Sequence, residues 1–194
     1  HMFNLISVLG GAPEWCFARV LQNGRGITRA DVVEGAEGIG PLAGDEIHAM
    51  FRMAGGATAY WDSVRNAGRP PSRFGLEIFG SEGVVQMFDT GHLPEMYWLP
   101  DPQWSPGQTG KRWIPISSVG VGEPEPLKNG GLAGGNVLAV RDLLDALEHG
   151  REPVANLREA RVTMEMVVAI FESQRQGRAV TIPLDLRKNP LTLL

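Results

Sequence analysis

The clearest pattern of apolar and polar positions lies in the last third of the chain. Four apolar side chains recur there at helical spacing and form one stripe: Val137, Val140, Leu144 and Leu147. The pattern predicts an amphipathic helix over residues 136–150 whose stripe belongs to the core. Asn136 is suited to cap its N-terminus, and Gly150 is suited to the left-handed turn that ends a helix.

A second helix and a strand are predicted to follow. Asn156, with Glu159 three residues later, comes close to a capping box, and Gly177 marks the end of the helix. Residues 164–171 are apolar on more than one face, which predicts a helix buried on most sides. The β-branched run within residues 179–184 predicts a strand.

The preceding residues carry the shorter period of strands. Residues 46–53 alternate, and their apolar face has four members: Ile47, Ala49, Phe51 and Met53. Glycines at positions 55–56 predict a hairpin turn, and residues 68–71 predict a break. Residues 22–44, rich in glycine and proline, predict a long loop of the kind that often carries function. Further strands are predicted over residues 14–20, 57–64, 76–79, 84–88, 96–99 and 113–116.

This order, with most strands in a run and helices at the end, favours an α+β fold. We expect a large, mostly antiparallel open sheet with helices packed on one face. A Rossmann fold is not favoured, because it requires strands and helices that alternate. We interpret Gly35, Gly38 and Gly40 as loop glycines, because a phosphate-binding loop would need a strand before them and a helix after them.

Composition narrows the class of protein. The 194 residues are 43% hydrophobic and 21% charged, which is typical of one globular domain over residues 1–194. The net charge of −4 argues against nucleic acid or an anionic membrane as partners. No apolar stretch is long enough to span a bilayer, so a cytoplasmic location is the default expectation. The single cysteine, Cys16, excludes an internal disulfide and is expected to be buried, and no spacing resembles a metal site.

Five polar side chains are candidates for substrate binding: Arg25, Arg29, His48, Asp62 and Arg65. Arg25 and Arg29 lie in the long loop, and loops on rigid sheets often carry recognition. His48 lies on the polar side of its strand, where it either hydrogen-bonds a sugar-like hydroxyl or is simply a polar residue of a sheet face. Asp62 and Arg65 either clamp a polyhydroxylated substrate or form cross-strand pairs.

Five segments of the chain form a series. Phe74-Gly-Leu-Glu-Ile-Phe-Gly-Ser-Glu-Gly83 is typical of a hairpin, and Asp142-Leu-Leu-Asp-Ala-Leu-Glu-His-Gly-Arg-Glu-Pro153 of a helix that ends in Gly-x-x-Pro. Glu172-Ser-x-x-x-Gly-Arg-x-Val180 is typical of a closing helix, and residues 183–191 and 1–10 complete the series. In this order and spacing they resemble the Gfo/Idh/MocA oxidoreductases, which include glucose–fructose oxidoreductase and inositol dehydrogenase. The resemblance covers essentially the whole chain.

The resemblance implies a two-domain protein. In this family an N-terminal Rossmann domain binds NAD or NADP. A C-terminal domain with an open sheet, similar to that of dihydrodipicolinate reductase, lines the substrate site and in many members forms the dimer contact. This chain resembles the C-terminal domain only, because the family's Glu-Lys-Pro motif with its catalytic lysine is not in it. The implied partners are therefore a small-molecule substrate, the missing N-terminal Rossmann domain and a second copy bound through the sheet.

His1 has two interpretations. It corresponds to the family's active-site histidine, which exchanges a proton with the substrate hydroxyl, or it is half of a His-Met cloning scar. Asn4 stands where the family usually has aspartate, and the aspartate that normally lies four residues before the histidine is not in the chain. His1 is the catalytic candidate only if it is native.

The resemblance favours the substrate-binding and oligomerisation domain of an NAD(P)-dependent oxidoreductase that acts on a sugar, a polyol or a related hydroxy compound. We expect this chain alone to bind no dinucleotide and to be inactive, and we expect the intact protein to use NAD or NADP. The alternative is a non-enzymatic binding or scaffolding module built on the same sheet.

Overall fold

The computed structural model describes residues 1–65, 74–89, 94–103, 108–128 and 132–194. The predicted break at residues 68–71 lies outside these ranges. The α-helices are α1 (Met2–Gly10), α2 (Leu132–His149) and α3 (Leu157–Gln176). The strands are β1 (Pro13–Gln22), β2 (Arg25–Gly26), β3 (Val33–Glu34), β4 (Pro41–Leu42), β5 (Glu46–Met53), β6 (Thr58–Val64), β7 (Phe74–Gly80), β8 (Gly83–Asp89), β9 (Pro94–Leu99), β10 (Ile114–Ser117), β11 (Gly120–Val121) and β12 (Val180–Thr181). None of the helices in the described ranges is long and apolar enough to cross a membrane.

The predicted α+β class is confirmed, with all described strand pairs antiparallel. The chain divides into two compact units: His1–Ala67 with Ala155–Leu194, and Gly68–Val154. Each unit contains a five-stranded sheet, and the first also contains the small β3–β4 hairpin. The run of strands predicted from the alternating sequence is therefore shared between two sheets.

The sheet of the first unit has the strand order β12-β1-β5-β6, and β2 also pairs with β1. Alternate side chains of a strand point to the same side of a sheet, and on the inner face of this sheet those side chains are apolar. Cys16 pairs with Phe51 and Ala18 pairs with Ala49, and all four are buried. Burial raises the pKa of the Cys16 thiol to about 12, which leaves it neutral and inert, as predicted.

Helix α3 packs on β1 and confirms both of its predicted ends. The Asn156 side chain accepts hydrogen bonds from the amides of Arg158 and Glu159, at 2.9 and 3.0 Å, and Gly177 has the left-handed φ of 65°. Met166, Ala169 and Ile170 are buried, whereas Met164 is exposed. Of residues 164–171 only Met164 is exposed, so the segment is buried on most sides as predicted.

Two side chains of α3 accept hydrogen bonds from backbone amides of β1. These amides lie between the part of β1 that pairs with β12 and the part that pairs with β2. The Ala18 amide donates to Ser173 Oγ at 2.9 Å, and the Val20 amide donates to Gln174 Oε1 at 2.7 Å. Ser173 Oγ also donates to the Arg178 carbonyl at 2.7 Å. Strand β12 is only two residues long, so the strand predicted within residues 179–184 is shorter than expected. The side chains of Ser173 and Gln174 bond to β1 where a longer β12 would pair with it.

Helix α1 lies directly before β1 and packs on the first sheet. Phe3 contacts the rings of Phe51 and Trp61, with ring centroids 5.7 and 4.6 Å apart. The Gly11 amide donates to the Ser7 carbonyl at 2.9 Å and ends the helix with a φ of 86°. The helix is thereby fixed to the inner, apolar side of the sheet.

The sheet of the second unit has the order β11-β10-β9-β8-β7. Its β7–β8 hairpin contains both predicted strands, 76–79 and 84–88, but each strand is longer than predicted, and Gly80 pairs with Gly83 at the turn. Gly83 has a φ of 149°, and a Cβ there would lie 2.1 Å from the Leu99 carbonyl oxygen and 2.8 Å from Trp98 Nε1. Only glycine fits this position, which gives the second glycine of the hairpin motif a structural reason.

Helix α2 corrects two predictions. It begins at Leu132 rather than beside Asn136, so Asn136 lies within the helix and does not cap it. Leucine and alanine at positions 132–133 favour helix and extend it toward the N-terminus. The four stripe residues are all exposed, Leu147 by 73%, and are not core. Helical spacing identifies the side chains that share a face, but it does not say whether another surface covers that face. The end predicted at Gly150 is confirmed by its φ of 64°.

Candidate functional site

The outer face of the first sheet consists of the side chains of β1, β5 and β6 that point away from α3. Strand register arranges them in rows across the sheet: Trp15–Arg52–Thr58, Phe17–Met50–Tyr60, Arg19–His48–Asp62 and Leu21–Glu46–Val64. Phe17 and Tyr60 are 43% and 72% exposed. Aromatic and charged groups are therefore side by side on an open surface.

His48 lies at the centre of the polar row, between two carboxylates. Its Nδ1 is 2.5 Å from Asp62 Oδ1, and its Nε2 is 2.7 Å from Glu46 Oε1. A carboxylate only accepts, and a neutral imidazole has one N–H, so both hydrogen bonds require the doubly protonated imidazolium. The hydrogen bonds from Glu46 and then Asp62 raise the pKa of His48 above its ordinary value. When both ring nitrogens are protonated, the group is a cation hydrogen-bonded on both sides.

Arg19 is the neighbour of His48 on the other side, on β1. Its side chain is exposed and makes no hydrogen bond or ion pair with any residue of the described ranges. The row therefore runs from a guanidinium on β1, through an imidazolium on β5, to a carboxylate on β6. Arg19 was not selected as a candidate from the sequence, although its position between the apolar residues Ala18 and Val20 is visible in it.

A shallow pocket of about 240 Å³ lies at one end of this face. It is lined by Asn23, Gly24, Asp45, Glu46, Val64 and Arg65. Asp45 fixes the pocket wall, because its carboxylate accepts from the Asn23 amide at 3.2 Å and from Gln22 Nε2 at 3.1 Å. The Arg65 amide donates to the Asp45 carbonyl at 2.8 Å, and Arg65 belongs to the pocket lining. A lining with one cationic and two acidic residues suits a hydroxyl-rich ligand.

The structure brings three of the five predicted substrate residues together: His48, Asp62 and Arg65. Asp62 forms a cross-strand pair with His48, and such a pair was one of the two interpretations given for Asp62. Glu46, which sequence reasoning did not select, links the histidine to the pocket. A signal for it existed, since Glu46 and His48 are two residues apart on one strand and share a face.

The two loop arginines are held by intrachain contacts. Arg25 forms a bidentate ion pair with Asp31, at 2.7 and 2.8 Å, and Asp31 also accepts from the Thr28 amide. These bonds, Arg25 first, lower the pKa of the Asp31 carboxyl below its usual range. Arg29 donates to the Leu191 carbonyl at 3.1 Å and so ties the loop to the chain's end. Their assignment as substrate ligands stays a prediction.

His1 immediately precedes α1, and its side chain makes no capping hydrogen bond. Its carbonyl accepts from the Leu5 amide at 3.2 Å, which starts the helix. The catalytic role of His1 stays a prediction. Within the described ranges, no three histidine, cysteine or acidic side chains are arranged to hold a metal ion.

The glycines at positions 35–40 belong to the β3–β4 hairpin. The Gly35 amide donates to the Gly40 carbonyl at 2.9 Å, and a Cβ on Gly35 would lie 2.7 Å from that oxygen. A three-residue 3₁₀ helix, Ala36–Gly38, and strand β4 follow, instead of the α-helix that a dinucleotide loop requires. These glycines serve a tight turn, as interpreted from the sequence.

Comparisons with known proteins identify the fold. No protein-family model and no curated protein sequence matches the chain. Among solved structures, it is similar to an NAD-binding oxidoreductase from Klebsiella pneumoniae, with a TM-score of 0.67, 16% identity, and coverage of 95% of this chain and 49% of that one. It is also similar to a levoglucosan dehydrogenase in complex with NADH and levoglucosan, with a TM-score of 0.65, 19% identity, and coverage of 94% and 48%.

A third similar structure is the WlbA dehydrogenase of Bordetella pertussis in complex with NADH and UDP-GlcNAcA, with a TM-score of 0.57, 19% identity, and coverage of 95% and 44%. The chain thus spans about half the length of the structures it matches, or slightly less. These structures are Gfo/Idh/MocA-type oxidoreductases, and the chain has the fold of their C-terminal domain. The resemblance predicted from the sequence is confirmed at the level of the fold.

Proposed function

We propose that this chain is the C-terminal, substrate-binding and oligomerisation domain of an NAD(P)-dependent oxidoreductase that acts on a sugar, a polyol or a related hydroxy compound. The observation that carries the proposal is the polar group on the outer face, Glu46–His48–Asp62, next to the pocket that contains Arg65. The similar solved structures include two dehydrogenases in complex with NADH and a sugar or sugar nucleotide. The predicted cytoplasmic location belongs to the same proposal.

In the intact protein, hydride would pass between a substrate carbon and the nicotinamide of NAD or NADP bound by the other domain. The residues of this chain would bind and orient hydroxyl groups. The guanidinium of Arg65 would donate hydrogen bonds, and the carboxylates of Glu46 and Asp62, held in place by the imidazolium of His48, would accept them. His1, if native, would exchange the hydroxyl proton.

Substrate binding is tested by titrating the ¹⁵N-labelled chain with levoglucosan and with myo-inositol while recording amide NMR spectra. We expect shifts concentrated at residues 45–48 and 64–65. The Arg65→Ala variant should weaken binding about tenfold, because it removes a charged donor from the pocket. Arg112→Ala, an exposed arginine outside the pocket, is the matched control. Shifts that are unaffected by Arg65→Ala would remove this pocket from the proposal.

Cofactor binding is tested by calorimetric titration of the chain with NADH. We expect no binding heat, because the dinucleotide site is assigned to the missing domain. Micromolar or tighter binding would overturn the domain assignment.

A non-enzymatic binding or scaffolding module is the second candidate, favoured by the exposed aromatic side chains of Phe17 and Tyr60. The gene upstream of His1 distinguishes the two candidates. A glycine-rich Rossmann fingerprint and a Glu-Lys-Pro motif there would favour the enzyme, and a start codon would favour the module.

A further inference from the structure

The outer face of the first sheet contains a cation whose charge the chain does not neutralise. Arg19 is exposed and makes no hydrogen bond or ion pair with any residue of the described ranges. Arg25 and Arg52 of the same unit differ from it, because they form ion pairs with Asp31 and Glu14. A guanidinium stays charged and binds a carboxylate through two parallel hydrogen bonds. Arg19 can therefore bind a carboxylate that comes from outside the chain.

The carboxylates beside Arg19 on this face are already hydrogen-bonded to His48. Glu46 Oε1 lies 2.7 Å from its Nε2, and Asp62 Oδ1 lies 2.5 Å from its Nδ1. When His48 is protonated, these groups and Arg19 comprise two cations and two carboxylates, so their formal charge is balanced. An anion that approaches Arg19 is then not repelled by a net negative charge.

The backbone at Arg19 is held on both sides. On one side, β1 pairs with β5 at this position. On the other side, the amides of Ala18 and Val20 donate to side chains of α3. Arg19 lies between these two amides, so the start of its side chain has a fixed place on the sheet. A binding group on a rigid element loses less conformational freedom when it meets its ligand.

An aromatic row lies next to the polar row. It consists of Phe17, Met50 and Tyr60, and its two aromatic members are 43% and 72% exposed. Small-molecule sites combine apolar and aromatic side chains with a few fixed polar groups. The C–H face of a sugar ring can pack on Tyr60 while its hydroxyls reach the polar row. The two rows together therefore suit a ligand that has a ring, hydroxyls and a negative charge.

We propose that the outer face binds a sugar acid, whose carboxylate ion-pairs with Arg19 and whose hydroxyls donate to Asp62. This rests on the substrate-binding role proposed above and names the substrate class of the same site. Asp62 uses Oδ1 for His48, so its second oxygen accepts from the ligand. Arg19 and Asp62 lie two strand spacings, about 10 Å, apart at their Cα atoms. The long side chain of Arg19 covers part of that distance, and the ligand spans the rest.

The test is an NMR titration of the ¹⁵N-labelled chain with D-glucuronate and with D-glucose, which differ only by a carboxylate in place of a hydroxymethyl group. We expect D-glucuronate to bind at least about tenfold more tightly, because its carboxylate adds a charge-assisted pair to the same hydroxyl contacts. Its additional shifts should lie at residues 17–20. Arg19→Gln should bind the two sugars with equal affinity. Arg112→Gln, which changes an exposed arginine of the second unit, is the matched control and should keep the preference.

Three results would overturn the proposal. If the unmodified chain binds both sugars equally, no cation recognises the carboxylate, and the substrate-binding role remains. If the preference persists in an Arg19→Gln variant that folds by circular dichroism, another cation holds the carboxylate. If neither sugar shifts any amide although levoglucosan or myo-inositol does, the sugar-acid class alone is wrong. If none of the four compounds shifts any amide, the substrate-binding role fails as well.

Discussion

Helices α2 and α3 both carry apolar side chains at helical spacing, but their surroundings differ. In α3, Met166 and Ile170 are buried against the first sheet, and both ends of the helix are capped as its sequence predicts. In α2, the corresponding apolar positions, such as Leu144, are exposed in the structure. Amphipathic spacing therefore determines which side chains share a face of a helix, whereas burial of that face depends on a second surface far away in the sequence.

The largest expected effect compares one buried and one exposed apolar side chain. Met166→Ala should lower the free energy of unfolding by about 2–5 kcal/mol, because it leaves a cavity next to β1. Leu144→Ala in α2 should change it by less than about 0.5 kcal/mol. Urea unfolding measures both. A cost above about 2 kcal/mol for Leu144→Ala would contradict the difference between the two helices, since it would mean that the α2 stripe is covered in solution.

The next effect concerns the polar contact between α3 and β1. Ser173→Ala removes the acceptor of the buried Ala18 amide and should cost about 1–3 kcal/mol. Hydrogen exchange at the Ala18 amide should also become faster. Ser118→Ala is the matched control, because Ser118 is an exposed serine of the second unit. Equal costs for the two variants would contradict a special role for Ser173.

The third effect compares two asparagines. Asn156→Ala should cost about 1 kcal/mol, because it removes the acceptor for two amides at the start of α3. Asn136→Ala should be neutral or slightly stabilising, because position 136 lies inside α2 and alanine is the better helix former. Circular dichroism with urea unfolding distinguishes them. A clear cost for Asn136→Ala would restore that residue as a cap.

The smallest expected effect concerns the pKa of His48 on the polar outer face. An NMR titration should give His48 a pKa above 6.5, the usual value for histidine. Because the folded-state pKa is raised, the two hydrogen bonds contribute stability below pH 6.5, and this contribution is lost as pH rises through the folded-state pKa. Glu46→Gln should lower the pKa. An unchanged pKa in that variant would show that Glu46 does not hold the imidazolium.

Much of the fold could be predicted because its signals are local. The alternation at residues 46–53 gave β5 with its correct bounds, and Asn156 and Gly177 gave the ends of α3. The candidate site was harder to predict, because it depends on strand register. Register places Arg19 next to His48 across β1 and β5, a relation between positions 29 residues apart that no local pattern carries. The exposure of Leu144 could not be predicted either, because it depends on whether a distant part of the chain covers α2.

The two α3 side chains that bond to β1 also affect how the sheet meets other chains. A strand edge with free amides can pair with any extended segment and begin aggregation. Ser173 and Gln174 occupy the amides of Ala18 and Val20, so this stretch of β1 cannot accept a foreign strand. The first sheet can therefore expose a broad face for specific binding while its interrupted edge stays closed to uncontrolled strand addition.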